Sequence, residues 1–397
     1  KCRAQSGGTM CPSYRATGEE RNSTRGRARL LQEMLRGEVI TDAWKSDAVR
    51  EALDLCFACK GCRSDCPTHT DLASYKAEFL SHYYEDKQRP RQAVSMGLIQ
   101  QWAALAERAP RVANFFTQTP LLNALAKKLA GVAPQRSMPA FATQTFRQWF
   151  EARRPQRGGD RVILWADTFS NHFNPKVAIA AVEVLEAAGC EVVIPQRGLC
   201  CGRPLYDFGL LDRAKAQLAD ILAALKSEIV AGTPVIGLEP ACLGTFKDEL
   251  LNFFPDDADA AKLSKQAVLF SDFLLTRKTW QPRALNVKAI VHGHCHQKSL
   301  LGMNGETTLL KKLGVDFKLL NSGCCGMAGS FGFKPEHYEV SIIAGEKGGL
   351  LPAVRAAGAD TLIITNGYSC REQIAQTGER RALHIAEVAR MALDKKI

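Results

Sequence analysis

The pattern of apolar and polar positions divides the chain into two kinds of territory. In the first 100 residues apolar positions recur at helical spacing and no strand is evident. The stretch STRGRARLLQEMLRG predicts a helix with Ser23 or Thr24 near its N-cap and Gly37 at its end. DAVREALDLCFACKGC predicts a second helix running into a cysteine cluster, and DLASYKAEFLSHYYED a third. Residues 101–157 read as a helical connector through AERAPRVANFF and PLLNALAKKLAG. The stretch ARRPQRGGD after it is rich in Pro, Gly and Arg and marks a boundary.

Beyond it the period changes. Short apolar runs (RVILWAD, CEVVIP, TPVIGLEP, KAIVHGHC, DFKLLNSG, DTLIITN) alternate with helical stretches such as LLDRAKAQLADILAALKSEI. That alternation predicts parallel α/β sheets. The pattern also repeats. EAAGCEVVIPQRGLCCG (186–202) matches KKLGVDFKLLNSGCCG (311–326), and AGTPVIGLEPAC (231–242) matches AGADTLIITNGYSC (357–370). The expected fold class is therefore α + α/β. A helical ferredoxin-like domain over 1–100 and the connector over 101–157 precede two tandem Rossmann-like α/β cysteine-rich repeats, over 158–284 and 285–397.

Composition refines this picture. The chain has 397 residues, 46% hydrophobic and 23% charged, as in ordinary globular proteins. No apolar run reaches the length of a membrane span. Lys1, where Met would open a gene product, reads as an edge inside a longer polypeptide. The formal charge of +11 raises nucleic-acid binding, but the cations are scattered on amphipathic helices, and bound anionic clusters would offset them. Nucleic acid is not an expected partner.

The fourteen cysteines carry the chemistry. A disulfide framework suits small secreted domains, and this chain shows no export signal, so metal binding is the better account. In CFACKGCRSDCP, two-residue gaps let Cys56, Cys59 and Cys62 curl around one corner of a cubane cluster. The three-residue gap before Cys66-Pro67 throws Cys66 towards a different cluster. Cys11-Pro12 repeats the Cys-Pro ending, which nominates Cys11 as fourth ligand of the first [4Fe–4S]. Cys2 and Cys66 would serve a second, with at least one ligand lying before Lys1. Zinc, the rival metal, usually takes paired C-x-x-C hooks and not this triple hook.

In the second repeat Cys295, Cys324, Cys325 and Cys370 form a full set of four thiols for a further metal or cluster. The first offers only Cys200, Cys201 and Cys242, with Thr168 aligned to Cys295 and with Asp167 or Glu239 as oxygen substitutes. A degenerate site, with cysteines that merely pack, is the plain alternative. Cys190 reads as an ordinary core residue. All the repeat cysteines that could bind fall just after strands, where α/β sheets collect ligands. His292, His294 and His296 flank Cys295. If the strand runs on, alternation sets the three imidazoles on one face and Cys295 on the other, as metal ligands, carboxylate partners or proton carriers. Asn171 and His172 stand in the corresponding place of the first repeat. Gly326, Gly329 and Gly332 suggest close backbone approach.

The order MCPSYRATGEERNSTRGRARLL, CFACKGCRSDCP, THTDLASYKAEFL and two Cys-Cys-Gly repeats resembles the C-terminal half of large bacterial FAD-linked oxidases of the D-2-hydroxyglutarate dehydrogenase type. The resemblance implies FAD on an upstream domain of the same polypeptide, one or two [4Fe–4S] clusters in this chain, and electron relay from flavin to a quinone or carrier protein. It implies a cytoplasmic oxidoreductase acting on the CH–OH group of a 2-hydroxy acid, open to association with the inner membrane face and to homo-oligomerisation. The iron–sulfur subunits of glycolate oxidase and anaerobic glycerol-3-phosphate dehydrogenase share the layout, with flavin on a partner subunit. The eight residues between Cys2 and Cys11 favour the fused type. Glu239 and Gly367 replace the first cysteine of each repeat's closing C-x-x-C, which argues against a non-cubane cluster of the heterodisulfide-reductase kind. A zinc-stabilised basic binding module and a metal-free lid over a flavin domain are the readings from other classes.

Overall fold

The computed structural model describes residues 1–393 apart from 155 and 157, so part of the expected boundary ARRPQRGGD lies outside the described residues. The N-terminal region is helical, as its periodicity predicts. The helix Thr24–Arg36 starts where Ser23 Oγ accepts the Gly26 N–H and stops at Gly37, whose φ of 71° only glycine adopts without strain. The helix Asp47–Asp54 ends before the cysteine motif instead of running into it. Leu72–Tyr83 is capped by Asp71, whose carboxylate accepts the Ser74 N–H. These helices bury Leu31, Met34, Val49, Leu53, Leu72 and Phe79 in one core that reaches Cys11 and Cys62.

The rest of the chain forms two parallel sheets. The first holds β1 (Asp160–Trp165), β2 (Cys190–Val193), β3 (Val235–Gly237) and β4 (Ala267–Leu269) in the order β2-β1-β3-β4. The second holds β5 (Val287–Val291), β6 (Val315–Leu319) and β7 (Leu362–Ile364) in the order β6-β5-β7. The orders correspond: in each, the first strand of the unit is central and the second lies outside it. The fold is thus a helical cluster followed by α/β cysteine-rich repeats. Strand β4 has no counterpart in the sequence pattern, because its three residues, Ala267–Leu269, are too few to show a period.

Burial on both sheet faces explains the continuous apolar runs. Along β1, Val162 and Leu164 enter one core while Ile163 and Trp165 enter another. The first of these cores is shared between the units. The helices Pro175–Ala187 and Ile385–Met391 pack between the sheets with Val291, Leu309 and Ile364. Each fully buried Leu, Ile or Val contributes roughly 1.5–3 kcal/mol, so this shared core fixes one unit against the other.

Candidate iron–sulfur and thiol centres

Two loops bring the first cysteines together. The loop before Cys11 folds onto the loop carrying Cys56, Cys59 and Cys62, and Asp65 holds it there: its Oδ2 accepts the N–H groups of Thr9 (2.7 Å) and Met10 (3.1 Å). Gly61 lies beneath. A Cβ on it would stand 3.0 Å from Met10 N, so glycine permits this approach. The backbone is unusual at these thiols. Cys11, Ala58 and Lys60 have φ values of 51°, 47° and 55°, left-handed conformations that cost non-glycine residues about 1 kcal/mol or more. The curl lets neighbouring sulfurs converge.

Converge they do. Cys62 lies within the electrostatic reach of Cys56 and Cys11, and Cys59 within that of Cys62 and Cys56. Burial, followed by these neighbours, pushes the Cys62 thiol up to about 12 and Cys59 well upward; burial also raises Cys11. Buried thiols so crowded ionise at a cost that a bound cation removes. Cys11 Sγ also accepts the Thr24 N–H at 2.9 Å, the kind of hydrogen bond that tunes a sulfur ligand. Cys2 and Cys66 pack, half-buried, against the edge of the same core. Burial pushes the Cys66 thiol up, but hydrogen bonds at Thr68 and Thr70 outweigh it and hold the group at about 7.

The C-terminal ends of β5, β6 and β7 gather a second thiol group. Cys295 lies beside Cys324, Cys324 beside Cys325, and Cys325 beside Cys370. His292 joins them: a ring nitrogen lies within 4.8 Å of the Cys325 and Cys370 sulfurs, while Nδ1 hydrogen-bonds Ser322 Oγ at 2.6 Å. Its Nε2 is buried with no hydrogen-bond partner. These are donors that could hold a metal. Contact with Cys324, Cys370 and His292 holds the Cys325 thiol well below its ordinary range despite burial.

The expected alternation of the histidines fails here. Strand β5 ends at Val291, so His292 is the first residue off the strand, and helix begins at Cys295. His292 and Cys295 therefore share one thiol group instead of facing apart. His296 turns to the cysteine loop, where its Nε2 donates to Ala58 O at 3.0 Å. Burial lowers His294 to about 4 and His296 further, so both are neutral near pH 7.

In the first repeat Cys201 and Cys242 meet at 3.2 Å and Cys200 adjoins Cys201. The Thr168 side chain lies beside Cys200, as Cys295 lies beside Cys324. The Asp167 and Glu239 carboxylates are both buried near Cys242. Burial, with Asp167 alongside, raises Glu239 to about 7. Glu239 is also structural, accepting the N–H of Ala241 (3.2 Å) and of Tyr368 in the other unit (2.8 Å). Asn171 and His172 point away from the thiols: Asn171 accepts the Arg147 N–H, and His172 faces Glu107.

Sequence reasoning missed what joins the parts. Lys60, between Cys59 and Cys62, is fully buried against Asp71, Asp248 and Glu249. Arg203 donates to Glu249 and to Ala58 O (2.9 Å). With His296 also bonded to Ala58 O, both repeats grip the cysteine loop, and Cys59 packs against the buried cluster that holds Cys295 of the second repeat. A lysine inside a cysteine motif was the one available signal. A cavity of about 1130 Å³ opens beside these groups, lined by Cys59, Cys201, Cys242, Cys295 and Cys324 together with connector residues.

Comparison with known proteins agrees with this geometry. Residues 1–70 match a 4Fe-4S dicluster domain, and residues 167–247 match a cysteine-rich domain of the CCG type. Lactate utilization protein A of Bacillus velezensis is 30% identical over 57% of this chain and 98% of its own length. D-2-hydroxyglutarate dehydrogenase of Escherichia coli is 25% identical over 92% of this chain, and the glycolate oxidase iron-sulfur subunit of the same species 22% identical over 97%. The chain belongs to the iron–sulfur family of the FAD-linked oxidases, with an N-terminal 4Fe-4S dicluster domain followed by a CCG cysteine-rich domain. It spans 40% of the length of the Escherichia coli D-2-hydroxyglutarate dehydrogenase, against 92% of the glycolate oxidase iron-sulfur subunit. No described helix is long and apolar enough to cross a membrane.

Proposed function

We propose that this chain is the electron-relay portion of a flavin-dependent 2-hydroxy acid dehydrogenase of the D-2-hydroxyglutarate type, passing electrons from FAD on an upstream domain to a quinone or carrier protein. Cys11, Cys56, Cys59 and Cys62 hold one [4Fe–4S] cluster; Cys2 and Cys66 contribute to a second. Cys295, Cys324, Cys325 and Cys370, with His292, hold a further metal or cluster. A cubane cluster supplies single-electron capacity, which a flavin emptied of two electrons requires.

The residues of this chain support that reading by what they do around the thiols. The Thr24 N–H donates to Cys11, Lys76 donates to Cys56 O at 2.8 Å, and Lys60 and Arg203 place buried positive charge beside the cysteine loop. Such contacts favour an anionic centre and set its potential. The carrying observation is that Cys59 packs against the cluster holding Cys295, Cys324, Cys325 and Cys370 and lines one cavity with the first three, which makes the two thiol groups neighbours. His292, His294 and His296, buried and held neutral, serve as a ligand or as positioning groups and not as acids. The near-complete mutual coverage with the glycolate oxidase iron-sulfur subunit, 97% of this chain and 92% of that one, favours a second reading with flavin on a separate chain.

The test is metal and colour. Protein purified without air is expected to be brown, to contain iron and acid-labile sulfide, and to bleach with dithionite. Zinc without iron would overturn the relay.

A further inference from the structure

The charged side chains around the cysteine loop fall into two groups. In one, Lys60, Arg63 and Arg203 form ion pairs with Asp71, Asp207, Asp248 and Glu249, so their charges cancel locally. The other consists of Arg15 and Arg27, 4% and 2% exposed, and neither forms an ion pair with the carboxylate of any described residue. Arg15 Nε donates to Ala4 O (3.1 Å) and its Nη2 to Gly7 O. Arg27 Nε donates to Ala52 O (2.7 Å) and its Nη2 to Ser13 Oγ (3.0 Å). Asp65 stands near, but its Oδ2 is taken by the N–H groups of Thr9 and Met10.

Both arginines frame the turn that carries Cys11. The Arg15 N–H donates to Cys11 O (3.2 Å), and Arg27 reaches Ser13, just after that cysteine. Burial works against the Arg15 charge, and the groups that favour it are Asp65 and then the thiols of Cys11, Cys59 and Cys324. Burial likewise works against a thiolate at Cys11, and Thr24 and then Arg27 favour it. Arginine does not shed its proton, and a cation taken out of water without a partner is costly. Two permanent charges buried beside thiols and lacking an acid call for an anion at those thiols. The second repeat leaves room for one of them. A Cβ on Gly323, the residue before Cys324, would stand 2.8 Å from Arg15 Nη1.

We propose that Arg15 and Arg27 are positioning residues for electron transfer: they supply the counter-charge of the centre held by Cys11, Cys56, Cys59 and Cys62 and raise its reduction potential, with Gly323 of the second repeat making space for the Arg15 guanidinium. The inference rests on the relay reading. One electron entering the centre adds one negative charge, and a fixed cation beside it favours that state. The charges of Lys60 and Arg203, matched by carboxylates, shift this equilibrium far less.

The test is a dithionite titration of the full chain, purified without air, against mediators of known potential and followed by absorbance and electron paramagnetic resonance. Arg15→Gln and Arg27→Gln are each expected to lower the one-electron reduction equilibrium constant about tenfold, a downward shift of about 59 mV, at unchanged iron content. Arg15→Lys keeps the charge while losing the fork of donors, and is expected to stay close to the parent. Gly323→Ala leaves both arginines in the chain but crowds Nη1, and is expected to shift the potential in the same direction by less. Should a glutamine variant lose its iron, Gly323→Ala decides by the same criterion. An unmoved or raised potential, or an equal shift in Arg15→Lys and Arg15→Gln, overturns the proposal. A parent without iron overturns the relay reading and this inference with it. A parent that holds iron and bleaches, beside an Arg15→Gln variant at the parental potential, overturns this inference alone.

Discussion

The two cysteine-rich units are built on one plan and end in different chemistry. Both place a Cys-Cys-Gly turn after an outer strand, β2 or β6, and a further cysteine in the helix after β3 or β7. In the second unit that plan strings four thiols together, Cys295 beside Cys324, Cys324 beside Cys325 and Cys325 beside Cys370, with the His292 imidazole within 4.8 Å of the last two. In the first it closes on three thiols, with Thr168 in the fourth place and the buried carboxylates of Asp167 and Glu239 alongside. The parallel-sheet frame fixes where ligands collect, and single substitutions at strand ends decide which metal, if any, the place can hold. Glu239 shows the trade: where the resemblance leads one to expect a cysteine, this residue caps its own helix and accepts an N–H from the other unit.

That contrast can be broken by metal analysis. Cys325→Ser is expected to remove the metal of the second unit, whereas Cys201→Ser is expected to change metal content far less. Equal losses would make the units equivalent and end the distinction. In the other direction, Thr168→Cys supplies the missing thiol, and iron or zinc bound per chain after anaerobic reconstitution is expected to rise. No rise would place the difference in the carboxylates instead.

Stability offers smaller tests. Glu306, buried in the second unit, accepts from Gln297 and Asn366 (2.6 Å each), and burial raises it to about 7. Its folded value lies above the unfolded value near 4.5. Its protonated form therefore favours folding fully below about pH 4.5, and that contribution is lost as pH rises through 7. Glu306→Gln is expected to flatten this decline, a difference on the order of 3 kcal/mol between pH 4.5 and 8. Melting temperatures of parent and variant across that range check it; parallel curves would contradict the sign. The smallest effect belongs to Lys298, whose ammonium donates to Ser322 O (2.6 Å) and Gly323 O (3.0 Å) just before the Cys-Cys-Gly turn. Lys298→Met is expected to cost about 1–2 kcal/mol in chemical denaturation. The first unit has no such clasp among the described residues: the aligned Asn171 accepts from Arg147 instead. A much larger loss would show that the turn cannot form without it.

The helices around Ser23, Gly37 and Asp71 were readable because caps and periodicity are local signals. So was the pairing of Thr168 with Cys295, since two copies of one plan can be compared position by position. The histidines were misread for an equally local reason. An alternation argument needs the strand to continue, and β5 stops at Val291, with helix beginning again at Cys295. Gly61 and Asp65 gave no signal, because their work is to hold a loop some fifty residues earlier in the chain.

By itself, then, the order of residues determined most of the helices and strands, though not β4, that the second half repeats one pattern, and that thiols come in sets at strand ends and in a cubane-like spacing. These follow from backbone preference and ligand spacing, which act over a few residues. Tertiary structure alone decided that Cys59 packs against the cluster holding Cys295, that Lys60 meets Asp248 and Glu249 across the chain, and that Cys59 and Cys295 line one cavity. Those neighbours are distant in sequence. Their meeting depends on how the shared apolar core orients two sheets and a helical cluster, and no local pattern encodes that orientation.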